Sequence, residues 1–207
     1  MSPSLEVVLA SSSKARARLL IDAGLAIKTH RPDVDEDAIM NEALSRGLTL
    51  EDALIAIATA KAMTVPEDGT PKIVIAGDSN LRFDGEVMGK PLNREDVFSR
   101  WTRLSGNSGE LITAHVLRLL PEELIATGVE NSRVDFAEVS EDEIRAYAQT
   151  AEPLMAAGSF TLEGLGSAFV SKIEGSASNV QGLSLPLLRL LTRELGIEWI
   201  SLWQQTN

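Results

Sequence analysis

Short apolar runs and amphipathic stretches alternate along the chain, which is typical of α/β proteins rather than of helix bundles or β-sandwiches. Val7-Val8-Leu9 is the first apolar run and predicts a strand over residues 5–10. Ile73-Val74-Ile75 predicts a buried strand over residues 72–77 that ends just before Asp78. Further strands are expected over residues 25–29, 111–120, 132–138 and 168–173.

Helix-capping residues mark where the predicted helices begin. Ser12 or Ser13 precedes a helix that runs to residue 23, where Gly24 ends it. Ser140 and Glu143 have the spacing of a capping box for a helix that runs to residue 149. The remaining predicted helices are residues 50–63 after Thr49, 94–104 after Asn93, and 186–195.

The turn after the first strand has the composition of an anion-binding site. Ser11, Ser12 and Ser13 are followed by a basic helix start, with Arg16 one turn inside the helix. Unpaired N–H groups at a helix N-terminus, together with hydroxyls and a guanidinium, suit a phosphate. The motif alone fits equally well an ordinary N-cap followed by a solvated basic helix face.

Four further charged residues are candidates for the same chemistry. Asp78 is expected at an exposed strand end, where α/β folds place ligand groups, and Lys90 lies in the stiff Gly89-Lys90-Pro91 turn. A carboxylate there can bind Mg²⁺ or orient water; the alternatives are an Asx turn at Asp78 and a solvated cation at Lys90. Glu36, in a predicted acidic turn over residues 32–37, is a second candidate oxygen ligand. Lys61, late on its helix, can reach a phosphate or complement the helix dipole.

Composition narrows the class of protein. With 207 residues and 44% apolar content, one domain with one sizeable core is expected. The chain has no Cys, and His30 and His115 lack partners at metal-ligand spacing, so both histidines are expected to be structural. A net charge of −11 argues against a general nucleic-acid binder. No stretch reaches the roughly 18 apolar residues of a membrane span. Residues 1–4 form only a short polar lead-in, which is not typical of a secretory signal peptide. A cytoplasmic location is therefore expected.

A series of short motifs occurs in a fixed order over nearly the whole chain. They are Ser11-Ser12-Ser13-Lys14-Ala15-Arg16, Val34-Asp35-Glu36, Lys61-Ala62, Gly77-Asp78, Gly89-Lys90-Pro91, Leu104-Ser105-Gly106, Ala157-Gly158-Ser159-Phe160, Glu163-Gly164-Leu165-Gly166, Ile173-Glu174-Gly175-Ser176 and Gly182-Leu183. This series resembles the Maf family of nucleoside triphosphate pyrophosphatases, the septum formation inhibitor Maf-like proteins.

The resemblance implies a fold, an activity and a site. The implied fold is α/β, with a mixed twisted sheet flanked by helices in two lobes around a deep cleft, as a single domain over residues 1–207. The implied activity is Mg²⁺-dependent hydrolysis of a nucleoside triphosphate to the monophosphate and pyrophosphate, with Mn²⁺ as the alternative metal, in a protein that is often a homodimer. From the charge and the lack of a long apolar stretch, we expect no nucleic-acid polymer and no membrane as partner. The expected catalytic residues are Asp78, Lys90 and Arg16; the substrate-binding residues are Ser11, Ser13, Lys61 and Glu163; and the metal ligands are Asp78 and Glu36.

Glu163 bears on the nucleobase. Family members selective for dTTP and UTP tend to carry Gln at the matching position, whereas a Glu resembles the branch that acts on 7-methyl-GTP. A carboxylate can accept hydrogen bonds from guanine N1–H and the exocyclic amine. The alternative at this position is a loop glutamate that caps nearby backbone N–H groups.

The chain also departs from the family pattern, and these departures keep other function classes open. The departures are Lys14 in place of Pro, Ser79 in place of Thr or Gln, Asn80 in place of an apolar residue, and Ser184 in place of Pro. A weakly catalytic nucleotide-binding regulator of cell division, or a structural relative without activity, is the competing class. Retention of Arg16, Asp78 and Lys90 favours the enzyme.

Overall fold

The computed structural model describes residues 5–204, so the polar lead-in predicted at residues 1–4 lies outside the described residues. The strands are β1 (Glu6–Ala10), β2 (Ile27–His30), β3 (Lys72–Phe83), β4 (Glu86–Met88), β5 (Ser108–Leu120), β6 (Leu124–Phe136) and β7 (Val170–Glu174). The α-helices are α1 (Lys14–Asp22), α2 (Glu36–Ser45), α3 (Leu50–Met63), α4 (Arg94–Leu104), α5 (Glu141–Gln149), α6 (Ala177–Val180) and α7 (Leu185–Glu194). Within residues 5–204, no helix is long and apolar enough to cross a membrane.

The strands form one mixed sheet, which confirms the predicted α/β class. Its order is β2-β1-β3-β5-β6-β7, with β4 paired to β3 beside this path. β1 runs parallel to both β2 and β3, and Leu9 pairs with Thr29 on one side and Ile75 on the other. β3 and β4 form an antiparallel hairpin in which Asp84 and Gly85 have φ values of 51° and 77°. Positive φ at both positions is the requirement of a type I′ turn.

The predicted helix starts are confirmed where a side chain caps the backbone. Ser13 caps α1 by accepting from the Arg16 N–H. Thr49 forms a capping box with Asp52 at the start of α3, and Ser140 with Glu143 at the start of α5. These bonds are local, and for that reason the sequence alone reveals them.

Two local predictions are wrong. Residues 32–37 were expected to form a turn, but Asp35 accepts from the Ala38 N–H and caps α2, so Glu36 is the first residue of a helix. Acidic residues favour a helix N-terminus as well as a loop, and composition does not separate the two. Asp78 lies inside a strand rather than beyond one, because β3 continues to the buried Leu81 and Phe83.

Contacts divide the chain into two compact units. Unit 1 comprises the chain up to residue 78, residues 113–130 and the chain from residue 182, and unit 2 comprises residues 79–112 and 131–181. The core of unit 1 joins the sheet to the flanking helices α1 and α7. Its fully buried members include Leu9, Leu20, Ile75, Leu117 and Leu188.

Unit 2 is built around a buried indole. Trp101 on α4 makes edge-on contacts with Phe136, Tyr147 and Phe169 at ring-centroid distances of 5.5, 5.7 and 5.4 Å. Its Nε1–H donates to the Ser159 carbonyl at 2.7 Å, so the only polar atom of the ring is satisfied. These contacts connect α4 and α5 to residues 153–169, which contain the short 3-10 helices Pro153–Met155, Ala157–Ser159 and Leu165–Phe169.

Candidate active site

The centre of the candidate site is a buried lysine held by two carboxylates. Lys61, in the last turn of α3, lies 2.6 Å from Asp78 Oδ1 and 2.8 Å from Glu36 Oε1. The side chains of Lys61 and Asp78 are 5% and 12% exposed, whereas that of Glu36 is 47% exposed. The three residues come from α3, β3 and the first position of α2, so tertiary packing alone brings them together.

Asp78 is therefore not the exposed strand-end carboxylate that was expected. Its register explains the position: β1 pairs with β3 only as far as Leu9 opposite Ile75, and Asp78 lies three residues further along β3. Asp78 thus lies beyond the end of the β1–β3 pairing, at the edge of the sheet where β1 leads into the Ser11 turn. An Asx turn at Asp78 is excluded by the continuous strand.

The two carboxylates fit a hydrated divalent cation rather than a complete protein cage. Among residues 5–204, no group of three or more His, Asp and Glu side chains is arranged to hold a metal ion. Proteins usually hold Mg²⁺ through one or two carboxylates, with substrate phosphates and waters completing the shell. Asp78 and Glu36 supply two carboxylates, and Lys61 is the one ammonium in direct contact with both of them.

Arg16 is buried beside this lysine–carboxylate centre and donates hydrogen bonds to two backbone carbonyls. Its Nη1 donates to the Gly77 carbonyl at 2.7 Å, and its Nε donates to the Gly182 carbonyl at 2.9 Å. Burial lowers the pKa of Arg16, and the negative charges of Asp78 and Glu36 act in the opposite direction. The alternative prediction that Arg16 lies on a solvated basic helix face is therefore wrong, because Arg16 is buried. The other part of that alternative, an N-cap at the start of α1, is confirmed, because Ser13 caps the helix.

The serine turn is organised around the same guanidinium. Ser11 Oγ accepts from the Ser13 N–H at 3.2 Å and from Arg16 Nη1 at 3.4 Å. Two glycines make room for this packing. A Cβ at Gly77 would lie 3.0 Å from the Ala114 carbonyl oxygen, and one at Gly182, where φ is 111°, would lie 3.1 Å from Arg16 Nε.

His115 is a buried neutral partner of the neighbouring loop. Its Nε2 accepts from the Ser184 N–H at 2.7 Å, a bond that a proline at position 184 could not donate. Burial, together with the positive charge of Arg16, lowers the pKa of His115 to about 3. The imidazole therefore stays uncharged at neutral pH, in agreement with a structural role.

Lys90 and Glu163 belong to unit 2. Lys90 is exposed, and the carbonyl of the preceding Gly89 accepts from Arg100 Nη1 at 2.6 Å and from the Gly158 N–H at 3.2 Å. These bonds fix the turn that carries Lys90. Glu163 is also exposed, on a loop that follows Thr161.

A family model described as Maf-like protein matches residues 6–195. The chain belongs to the Maf family. Proteins named nucleoside triphosphate pyrophosphatase from Corynebacterium glutamicum (strain ATCC 13032) and Nostoc punctiforme are 40% and 42% identical to it. The alignments cover 96% and 95% of this chain and 99% and 97% of those proteins. The Staphylococcus aureus Ham1 structure aligns with 96% of the chain and 93% of its own at a TM-score of 0.41 and 13% identity.

In this Maf protein, the structure brings together six of the predicted site residues within unit 1. They are Ser11, Ser13, Arg16, Glu36, Lys61 and Asp78. Sequence reasoning missed Arg118, which donates to the Val65 carbonyl at 2.9 Å and so holds the end of α3 just beyond Lys61. It also missed Glu152, whose four hydrogen-bond donors are spread from Tyr147 to Gly166 and follow no periodic pattern.

Proposed function

We propose that this Maf protein hydrolyses a nucleoside triphosphate to the monophosphate and pyrophosphate with Mg²⁺. The observation that carries the proposal is the buried Asp78–Lys61–Glu36 cluster, in which two carboxylates and one ammonium converge. Such a cluster suits a substrate that brings about four negative charges together with a divalent cation. The names of the relatives support the same reaction class.

We assign each residue of the cluster a different role in the reaction. Water adds to the α-phosphorus, and the bond between this phosphorus and the oxygen that bridges to the β-phosphate breaks. Pyrophosphate leaves with the electron pair of that bond. Asp78 orients the water and accepts its proton, and Lys61 offsets charge that builds on the phosphates. Mg²⁺, held by Asp78 and Glu36, would supply further electrostatic stabilisation of the leaving pyrophosphate.

Arg16 contributes through the backbone as well as through its charge. By binding the Gly77 carbonyl it fixes the residue that directly precedes Asp78. A planar guanidinium presents several donors in a rigid fork, so it can hold carbonyls and still act as a fixed positive charge near a phosphate. The Ser11 and Ser13 hydroxyls are packed against it at the start of α1.

For the nucleobase, we propose a modified purine such as 7-methyl-guanine, with dTTP or UTP as the alternative. Glu163 supports this choice, because an exposed carboxylate can accept from a guanine edge and would repel a pyrimidine carbonyl. The homodimer implied by the family resemblance stays a prediction, which analytical ultracentrifugation tests directly.

The test is a panel of nucleoside triphosphates with Mg²⁺ or Mn²⁺ in which pyrophosphate release is measured. We expect turnover that depends on the metal, and Asp78→Asn should lower kcat by about 100-fold or more at saturating metal. Asp22→Asn is the matched control, since Asp22 is an exposed aspartate of the same unit that pairs only with Arg18. Nucleotide binding without turnover across the panel would instead favour the regulator.

A further inference from the structure

A single carboxylate organises the loop that carries Glu163. Glu152 Oε1 accepts from the Thr161 hydroxyl at 2.7 Å, the Gly166 N–H at 2.8 Å and the Tyr147 hydroxyl at 3.1 Å. Its Oε2 accepts from the Leu165 N–H at 2.9 Å. Donors from α5 and from both ends of the segment 161–166 therefore converge on one side chain.

The segment closes on Glu152 without space for side chains at its glycines. A Cβ at Gly164 would lie 2.3 Å from Glu152 Oε2, and a Cβ at Gly166 would lie 2.5 Å from the Tyr147 hydroxyl. Both distances are shorter than any tolerated contact between such atoms. The two glycines thus allow the backbone to approach the carboxylate closely enough for the N–H donors to reach it.

The pKa shifts of Glu152 and Tyr147 favour an ionised carboxylate and a protonated phenol in this arrangement. Burial alone would raise the pKa of Glu152, but the hydrogen bonds from Thr161, Gly166 and Leu165 hold it below its usual value. Burial, together with the nearby negative charge of Glu152, raises the pKa of Tyr147, so this phenol stays a donor. All four bonds therefore involve an ionised acceptor, and such charge-assisted bonds are stronger than neutral ones.

Glu163 lies between the anchored ends of this segment. Thr161 is fixed two residues before it and Leu165 two residues after it, whereas Glu163 itself is exposed. The capping of loop N–H groups, which was the alternative role for Glu163, is performed by Glu152. This division leaves the carboxylate of Glu163 available to a ligand.

We propose that Glu152 is a positioning residue for nucleobase selection, because it fixes the segment 161–166 and with it the location of Glu163. The proposal rests on the function proposed above. Glu152 does not itself touch the nucleotide. Its removal should therefore change which nucleotide is preferred more than it changes the chemical step.

The experiment compares three variants of the full-length protein. Glu152→Ala removes the acceptor for all four donors, whereas Glu152→Gln keeps an acceptor oxygen for Thr161, Gly166 and Tyr147 and loses only the acceptor for Leu165. Glu143→Ala is the matched control, because Glu143 caps the same helix α5 but bonds only to Ser140. The ratio of kcat/KM for 7-methyl-GTP to that for UTP is measured in each. The ratio of Kd values for their non-hydrolysable α,β-methylene analogues is measured in parallel.

We expect Glu152→Ala to shift both ratios toward unity by about 5-fold or more, the scale of one misplaced polar contact in a binding site. The value of kcat for the poorer substrate should change little. Glu152→Gln should restore part of the preference, and Glu143→Ala should lower Tm without changing either ratio. Amide hydrogen exchange should accelerate at both Leu165 and Gly166 in Glu152→Ala, at Leu165 only in Glu152→Gln, and at neither in Glu143→Ala.

Unchanged ratios in Glu152→Ala would overturn the proposal, even if hydrogen exchange accelerated. An equal shift in Glu143→Ala would also overturn it, because general destabilisation would then be the cause. If the wild-type protein releases no pyrophosphate from any nucleotide, the proposed reaction fails. The Kd ratios of the analogues still decide the role of Glu152 in that case.

Discussion

Replacing Lys61 by Met tests the charge balance of the candidate site. Methionine has similar length, lacks the charge and favours a helix, so α3 should be retained. The change leaves Asp78, whose side chain is 12% exposed, without the ammonium that lies 2.6 Å away. Removing one partner of a buried pair typically costs 3–5 kcal/mol, because the other charge stays buried and uncompensated.

The structure places the expected cost near the lower end of that range. Glu36 is about half exposed and keeps its hydration, and the Arg16 guanidinium still offsets part of the charge of Asp78. We therefore expect a loss of about 3 kcal/mol in the free energy of unfolding. For a chain of this length, the loss corresponds to a fall in Tm of roughly 6–12 °C.

Urea denaturation and thermal melting at neutral pH measure this loss, and a double variant assigns its cause. Lys61→Met combined with Asp78→Asn should be more stable than Lys61→Met alone by about 1.5 kcal/mol or more, since the buried carboxylate that lost its ammonium is then uncharged. Lys28→Met is the control and should leave Tm unchanged, because Lys28 is 72% exposed in its pair with Glu6. A loss below about 1 kcal/mol in Lys61→Met, with no recovery in the double variant, would refute the charge argument.

Two further substitutions test individual side chains. Arg16→Ala should lower both Tm and kcat/KM, because it leaves the carbonyls of Gly77 and Gly182 without their donor, at about 1–3 kcal/mol for each buried group; melting curves and kinetics check this, and a normal Tm would contradict it. Arg16→Lys should not restore either value, since an ammonium cannot span both carbonyls. Glu163→Gln should move the kcat/KM ratio from 7-methyl-GTP toward UTP or dTTP by roughly 5- to 150-fold, and an unchanged ratio with activity retained would place base selection elsewhere.

The sequence predicts the parts of this fold that depend on local interactions. Ser13, Thr49 and Ser140 each accept from a backbone N–H three residues away, so a short motif contains the whole interaction. The hairpin turn at Asp84-Gly85 is local in the same way, since an Asp-Gly pair favours the positive φ values found at both positions.

Features that depend on distant partners were not predicted. The continuation of β3 through Asp78 follows from the burial of Leu81 and Phe83, which the polar residues at positions 78–80 conceal in the sequence. The burial of Arg16 depends on carbonyls that lie 61 and 166 residues away in the chain. No window of sequence contains such pairs, and the role of these residues becomes visible only in the folded structure.

The hydrogen bond between Arg16 and Gly182 joins two residues that are synthesised at very different times. Because the two residues are separated by 166 positions, a ribosome that adds about 5–20 residues per second makes the acceptor roughly 10–30 seconds after the donor. Until residue 182 has left the ribosome, the guanidinium lacks the Gly182 carbonyl as an acceptor. A nascent chain therefore carries the residues of the serine turn long before it can hold them in their final geometry.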